Sequence, residues 1–251
     1  MTQKQKAEQF AALHIKGAPV ILYNIWDAGS ALAVAQAGAK ALATGSHSVA
    51  AAQGYEDGEA ISLDELLTTT RQIVATSKLP LSVDFEGGFA VEPEALASNV
   101  KRVIDAGAIG INFEDQIVDG DGLHPIPDQA KRIAAIRGAC HIPCYINART
   151  DVFLREPDQA KHAQLTGEAL ERAHAYAEAG ASGLFIPGTL DEALIGDICE
   201  RTPLPVNVLM RPGAMPTERL SKLGVARISF GPFPYIDAMN SLTENAKAAF
   251  V

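Results

Sequence analysis

Short apolar runs alternate with amphipathic ones along the chain. The apolar runs are APVILYN (18–24), AKALAT (39–44), LPLSVD (79–84), AIGINFE (108–114), IPCYINAR (142–149), SGLFIP (182–187), LPVNVL (204–209) and VARISF (225–230). Their length and apolar content predict eight strands. Between them, ISLDELLTTTRQIVATSK, PEALASNVKRVIDAG, IPDQAKRIAAIRG and TGEALERAHAYAEAG read as helices, several opening on Ser, Pro or Thr. Acidic residues in the first turn of the first and third suit the helix dipole.

A weak internal repeat supports this parse. AGAKAL, AGAIGI, AGASGLF and LGVARIS each place a glycine after a helix and a strand next. Gly38, Gly107, Gly180 and Gly224 are therefore expected in the left-handed conformation that stops each helix. Strand and helix alternate eight times without a linker. The pattern predicts one α/β domain over residues 1–251, a (β/α)8 TIM barrel with 1–16 as an N-terminal helical segment. An open doubly wound sheet is the alternative fold, but no strand leads into its G-x-G-x-x-G turn.

Composition narrows the function. The chain has 251 residues, 47% hydrophobic and 20% charged, enough for a large core. Its net charge of −9 argues against a nucleic-acid or anionic-membrane surface, so an anionic substrate must meet local cations. No window approaches the roughly 18 apolar residues of a membrane span, and residues 1–18 lack the apolar core of a secretion signal. Cys140, Cys144 and Cys199 form no disulfide framework or zinc pattern; buried thiols in a reducing cytoplasm are expected.

In such barrels the chemistry lies where strands end. Here those ends carry Asn24, Ser46, His47, Asp84, Glu86, Glu114, Asp115, Asn147, Arg149, Asp151 and Ser229. Asp84 and Glu86, two apart in LSVDFEGGFA, would share one face and repel each other. A hard divalent cation would compensate, Mg²⁺ before Ca²⁺; zinc lacks its Cys or His cluster. Either acid could instead cap a turn or pair with Arg149. No lysine ends a strand and no G-x-S-x-G occurs, which sets aside Schiff-base and serine-elbow chemistry. His47 reads as a packed loop histidine or, less readily, a base.

ATGSHSVAAAQGYEDGE, VDFEGGFA, INFEDQ, INARTDVF and GVARISFGPF, in this order, resemble the motifs of the isocitrate lyase and phosphoenolpyruvate mutase superfamily. The resemblance implies a (β/α)8 barrel, Mg²⁺, and a small 2-oxo acid or phosphonate substrate handled through an enolate. It implies Asp84 as the direct metal ligand, with Asp57, Glu86 and Glu114 acting through water. Arg149 would bind the anionic end of the substrate and take part in catalysis. The backbone of Gly45 and Ser46, the Ser46 hydroxyl and neighbouring His47 would hold the 2-oxo carboxylate. The loop IVDGDGLHPIP lacks the cysteine of the lyase branches and the lysine of the mutase and hydrolase branches. That leaves His124, or water, as the expected proton carrier. Specificity is expected from residues 117–127 and from side chains around Asn207 and Met210. Carbon–carbon cleavage or decarboxylation, for example of oxaloacetate, is the first reading. Phosphonopyruvate-type P–C chemistry and a noncatalytic binding protein are the alternatives, and a homo-oligomer is expected.

Overall fold

The computed structural model describes residues 1–250. Eight strands form one sheet: β1 (Val20–Leu22), β2 (Leu42–Ala43), β3 (Leu81–Asp84), β4 (Gly110–Glu114), β5 (Tyr145–Arg149), β6 (Gly183–Phe185), β7 (Val206–Leu209) and β8 (Arg227–Ser229). Their order is β1-β8-β7-β6-β5-β4-β3-β2, and every hydrogen-bonded pair is parallel. The two ends of that order meet through a parallel bridge between Ile25 and Thr44. Ile25 N–H donates to the Ala43 carbonyl at 2.9 Å, and Gly45 N–H to the Ile25 carbonyl at 3.2 Å. The sheet thereby closes into the expected (β/α)8 barrel, and each of the eight apolar runs supplies its strand. Asn24 reinforces the seam: its Oδ1 accepts from the Phe230 and Gly231 amides, and its Nδ2 donates to the Thr44 carbonyl.

The main helices are α1 (Gln3–Ala12), α2 (Ala28–Gln36), α3 (Ser46–Ala51), α4 (Leu63–Thr76), α5 (Pro93–Asp105), α6 (Ile126–Ala139), α7 (His162–Glu178), α8 (Glu192–Arg201), α9 (Thr217–Lys222) and α10 (Phe233–Ala249). Gly38, Gly107, Gly180 and Gly224 follow the C-caps of α2, α5, α7 and α9 with φ of 96°, 107°, 101° and 91°, as expected. One boundary differs. The sequence suggests Thr166 as the start of α7, but the helix begins at His162, which is fully buried and bonded through Nε2 to the Glu156 carbonyl. A 3-10 turn at Gln159–Lys161 feeds it, and Thr166 Oγ1 donates back to the His162 carbonyl from inside the helix.

Helix α1 closes the N-terminal mouth of the barrel. Phe10 meets Tyr145, the first residue of β5, edge-on at 5.3 Å, and His14 stacks on the same ring at 4.0 Å. Alternation divides the strands into two faces. Val83, Ile111, Phe113, Ile146, Ala148, Leu184, Val208 and Ile228 are buried in the core formed with the helices. The opposite face fills the barrel with polar groups. Asn112 Nδ2 donates to Asp84 Oδ1 at 3.3 Å, while its Oδ1 accepts from Asn147 Nδ2 at 2.9 Å and Arg227 Nη2 at 3.1 Å. Ser229 Oγ accepts from Arg227 Nε and exchanges hydrogen bonds with Asn207. Arg227 is fully buried, and desolvation pushes its guanidinium down to about 10.

Candidate active site

A cavity of about 310 Å³ opens at the C-terminal ends of the strands. Strands β1–β5 and the loops after them contribute Asn24, Ser46, His47, Asp57, Asp84, Asn112 and Arg149. Strands β6–β8, their loops and the loop after β5 contribute Leu154, Phe185, Pro187, Leu209, Arg211 and Phe233. Because the strand order is circular, a mainly polar arc faces a mainly apolar one.

The polar arc depends on the turn after β3. Glu86, Gly88 and Phe89 have φ of 49°, 91° and 56°. A Cβ on Gly88 would lie 2.2 Å from Leu96 Cδ1, and one on Gly87 2.8 Å from Val118 Cγ2. Close packing thus favours glycine at both positions, and backbone conformation favours it at Gly88. The turn directs Glu86 at the loop that carries Asp57: its Oε2 accepts from the Gly58 and Glu59 amides at 3.0 and 2.8 Å. Glu59 answers by accepting from the Phe89 amide at 2.8 Å. Asp57 is held at the cavity wall by this reciprocal lock.

Asp84 ends β3 at the cavity. Its Oδ2 accepts from the Ser46 amide at 3.0 Å, and its own N–H donates to Thr44 Oγ1 at 2.8 Å. Burial raises the Asp84 pKa, with Arg149 opposing and Asp57 adding repulsion. Glu86 is pushed up to about 8 by burial and then by Asp84 and Asp57. Burial also raises Glu114, although Arg149 Nη1 lies 2.9 Å from its Oε2. For Arg149 burial disfavours the cation, but Glu114 and Asp151 outweigh it and hold the guanidinium above its ordinary range.

Arg149 is therefore both a cavity residue and a structural one. Its Nε and Nη2 donate to the two Asp151 oxygens at 2.6 and 2.7 Å. Two of the five guanidinium N–H groups are thus engaged, and Nη1 forms an ion pair with Glu114. Asp115 belongs to the frame behind it. It is fully buried, accepts from the Asp151 amide, and takes Arg172 Nη1 at 3.1 Å and the Tyr176 hydroxyl at 2.7 Å.

The donor set suits a hard cation: oxygen atoms only, too many carboxylates for one guanidinium, and carboxyls that burial and mutual repulsion keep from ionising alone. Among the described residues no three His, Cys, Asp or Glu side chains form a ready direct-ligand cluster. The arrangement fits an ion that keeps several waters, with Asp84 and Asp57 at the cavity and Glu86 and Glu114 behind its wall.

Three expectations need correction. His124 does not line this cavity. A Gln116–Leu123 bridge folds its loop back, its amide donates to Asp115 O and its carbonyl accepts from Arg172, so it faces a separate hollow with Glu59 and Arg132. Burial and Arg132 hold its imidazole below the ordinary value. Asn207 lies one layer down, 1% exposed and bonded to Ser229, while Leu209 takes the cavity position. The Gly45 and Ser46 amides are engaged by Ile25 O and Asp84. The Ser46 hydroxyl and the His47 amide, which α3 does not use internally, are the donors left at that corner. Sequence reasoning missed Asn112 and Arg211. Asn112 alternates with Glu114 in INFE and was legible as a polar group on the same face of its strand, whereas Arg211 lies just beyond LPVNVL, where alternation assigns no direction.

Comparison with known proteins agrees with this fold. An uncharacterized protein of Mycobacterium tuberculosis is 34% identical over 240 residues, covering 95% of this chain and 88% of its own. The 2-methylisocitrate lyase of Escherichia coli is 30% identical over 256 residues, covering 98% of this chain and 84% of its own. A crystal structure from Burkholderia cenocepacia, provisionally described as a phosphonomutase, superimposes with a TM-score of 0.96 at 43% identity, covering 99% of this chain and all of that one. A phosphonopyruvate hydrolase solved with oxalate and Mg²⁺ shares the fold at a TM-score of 0.83 and 23% identity, over 97% of this chain and 85% of that one. The model of the phosphoenolpyruvate phosphomutase family matches residues 10–250, and the chain belongs to that family, within the isocitrate lyase and phosphoenolpyruvate mutase superfamily of enzymes.

Proposed function

We propose that this protein is a Mg²⁺-dependent enzyme that acts on a small 2-oxo acid through its enolate, cleaving or forming a carbon–carbon bond. Decarboxylation of oxaloacetate is the first reaction to test. The observation that carries the reading is the convergence of four carboxylates on one cavity, Asp84 and Asp57 lining it and the buried Glu86 and Glu114 behind its wall, short of positive charge. The lyase and hydrolase names of the relatives support it.

Asp84 would hold the metal directly, and Asp57, Glu86 and Glu114 through water. When bound, Mg²⁺ supplies Lewis-acid polarisation of the 2-oxo group and disperses developing negative charge. The Ser46 hydroxyl and His47 amide donate to the same anion; a preorganised donor in a dry site is commonly worth about 3 kcal/mol. Arg149 orients the carboxylate with its remaining N–H groups. Leu154, Phe185, Pro187 and Phe233 exclude water from the opposite arc. His47, the imidazole that lines the cavity, takes the proton-carrier role expected of His124.

The reading includes a single domain over 1–251, a cytoplasmic location and a homo-oligomer. Only Pro234 of α10 is buried, which supports a neighbour covering that helix. No helix among the described residues is long and apolar enough to cross a membrane. The acidic charge argues against a nucleic-acid partner.

Turnover separates the readings. Pyruvate release from oxaloacetate above the rate of free Mg²⁺, abolished by EDTA, supports the proposal. Phosphate release from phosphonopyruvate instead would establish P–C chemistry, and oxalate binding without either reaction would establish a binding protein.

A further inference from the structure

We propose that Arg211 binds a second carboxylate of the substrate, so that the cavity is built for a dicarboxylic 2-oxo acid. This rests on the proposed function, which places the 2-oxo acid end at Asp84.

The two guanidinium groups that line the cavity differ in their state. Arg149 is offset by Glu114 and Asp151 at 2.6 to 2.9 Å. The Arg211 side chain makes one hydrogen bond, from Nη2 to the Gly188 carbonyl at 2.8 Å, and its Nε is buried without a partner. It has no ion pair among the described residues, whereas Arg102, Arg155, Arg172, Arg201 and Arg219 each meet a carboxylate. Phe185, Pro187, Leu209 and Leu154, which line the same cavity, are apolar. A partly desolvated cation without a counter-ion is unfavourable in such surroundings, and a carboxylate arriving with the substrate relieves it. The planar fork suits a carboxylate by two bonds at once.

The anchor is rigid. Gly188 O also accepts from Gln159 Nε2 at 3.1 Å, and a Cβ on Gly188 would lie 2.6 Å from the Leu154 amide nitrogen. The loops after β5 and β6 are therefore packed backbone to backbone behind Arg211. Position completes the argument: Arg211 follows β7, across the barrel from Asp84 on β3. A substrate spanning the cavity places one anion at each end. In a chain of net charge −9, the far anion needs a local cation, and of the two guanidinium groups in the cavity Arg211 is the one without an ion pair among the described residues.

Calorimetry on the Mg²⁺-loaded protein tests this with three probes: oxalate, which occupies the metal end alone; 2-oxobutyrate, a monocarboxylic acid; and 3,3-difluorooxaloacetate, its dicarboxylic counterpart. The wild type should bind the dicarboxylate at least tenfold more tightly than 2-oxobutyrate. Arg211→Gln should weaken the dicarboxylate tenfold or more while changing oxalate and 2-oxobutyrate less than twofold, and Arg211→Lys should recover part of the loss. Equal weakening of all three probes would mean that Arg211 only braces the loop, and an unchanged dicarboxylate affinity would remove its role; either overturns the proposal. Oxalate binding without a dicarboxylate preference in the wild type defeats the Arg211 proposal alone. Absence of Mg²⁺-dependent oxalate binding defeats the metal-site reading and this inference with it.

Discussion

Glu86→Gln removes a buried carboxyl whose titration the fold displaces. Burial first, then Asp84 and Asp57, raise its pKa from 4.5 to about 8. Below pH 4.5 the group is neutral in the folded and unfolded chains alike. Between 4.5 and 8 the unfolded chain has released the proton while the folded one retains it, so stability falls as pH rises, by about 1.4 kcal/mol per unit. The favourable contribution is full below the unfolded value and lost as pH passes the folded one. Over the whole interval this amounts to at most about 5 kcal/mol, less any relaxation of the loop at 54–60. Glutamine keeps an acceptor for the Gly58 and Glu59 amides but carries no charge. In EDTA, Glu86→Gln should therefore melt near the wild type at pH 5 and above it by about 10 °C at pH 8, taking about 2–4 °C per kcal/mol. His14, which burial and then Arg227 push down to about 3, titrates in both proteins and cancels in the difference. Differential scanning calorimetry at pH 5 to 8 measures it. A melting difference that is constant with pH, or a variant less stable than the wild type at pH 8, would show that Glu86 does not carry this pH dependence.

Arg172→Met strands the Asp115 carboxylate in the interior, and breaking such a pair typically costs about 3–5 kcal/mol; an unchanged denaturation midpoint would show that Tyr176 alone satisfies Asp115. Arg149→Lys keeps a charge but loses the two-bond grip on Asp151, so melting temperature and kcat/KM should both fall, and retention of either would restrict Arg149 to a single role. Iodoacetamide should not produce substrate-protected inactivation, because Cys140, Cys144 and Cys199 lie outside the cavity; mass spectrometry of an inactivated, substrate-protectable thiol would contradict this placement.

The barrel was legible because each strand is a compact apolar run and each of four helices stops on a glycine with no alternative conformational role. The acids at the ends of β3 and β4 were legible for the same reason: Asp84 and Glu114 interrupt apolar strands where nothing but function or pairing explains them. What alternation could not settle was depth and direction. Asn207 and Leu209 share a face, and only the barrel shows that the first is sealed beneath the second. His124 looked like an active-site histidine by loop membership, but the Gln116–Leu123 bridge and Arg172 turn that loop aside. Ser46 was expected to offer its amide to substrate, and a tertiary contact 38 residues away, to Asp84, uses it. Arg211 carried no periodic signal; it became informative only when every other cavity cation had a partner.

On the proposed function, Asp84 anchors a divalent cation at the C-terminal mouth of this barrel. Anomalous diffraction from crystals soaked in Mn²⁺ as a surrogate for Mg²⁺ tests it directly. A peak is expected about 2.1 Å from an Asp84 carboxylate oxygen, with waters between the ion and Glu86 and Glu114, and no such peak in Asp84→Ala crystals. A wild-type cavity without a peak, or a peak that persists in Asp84→Ala, would contradict it.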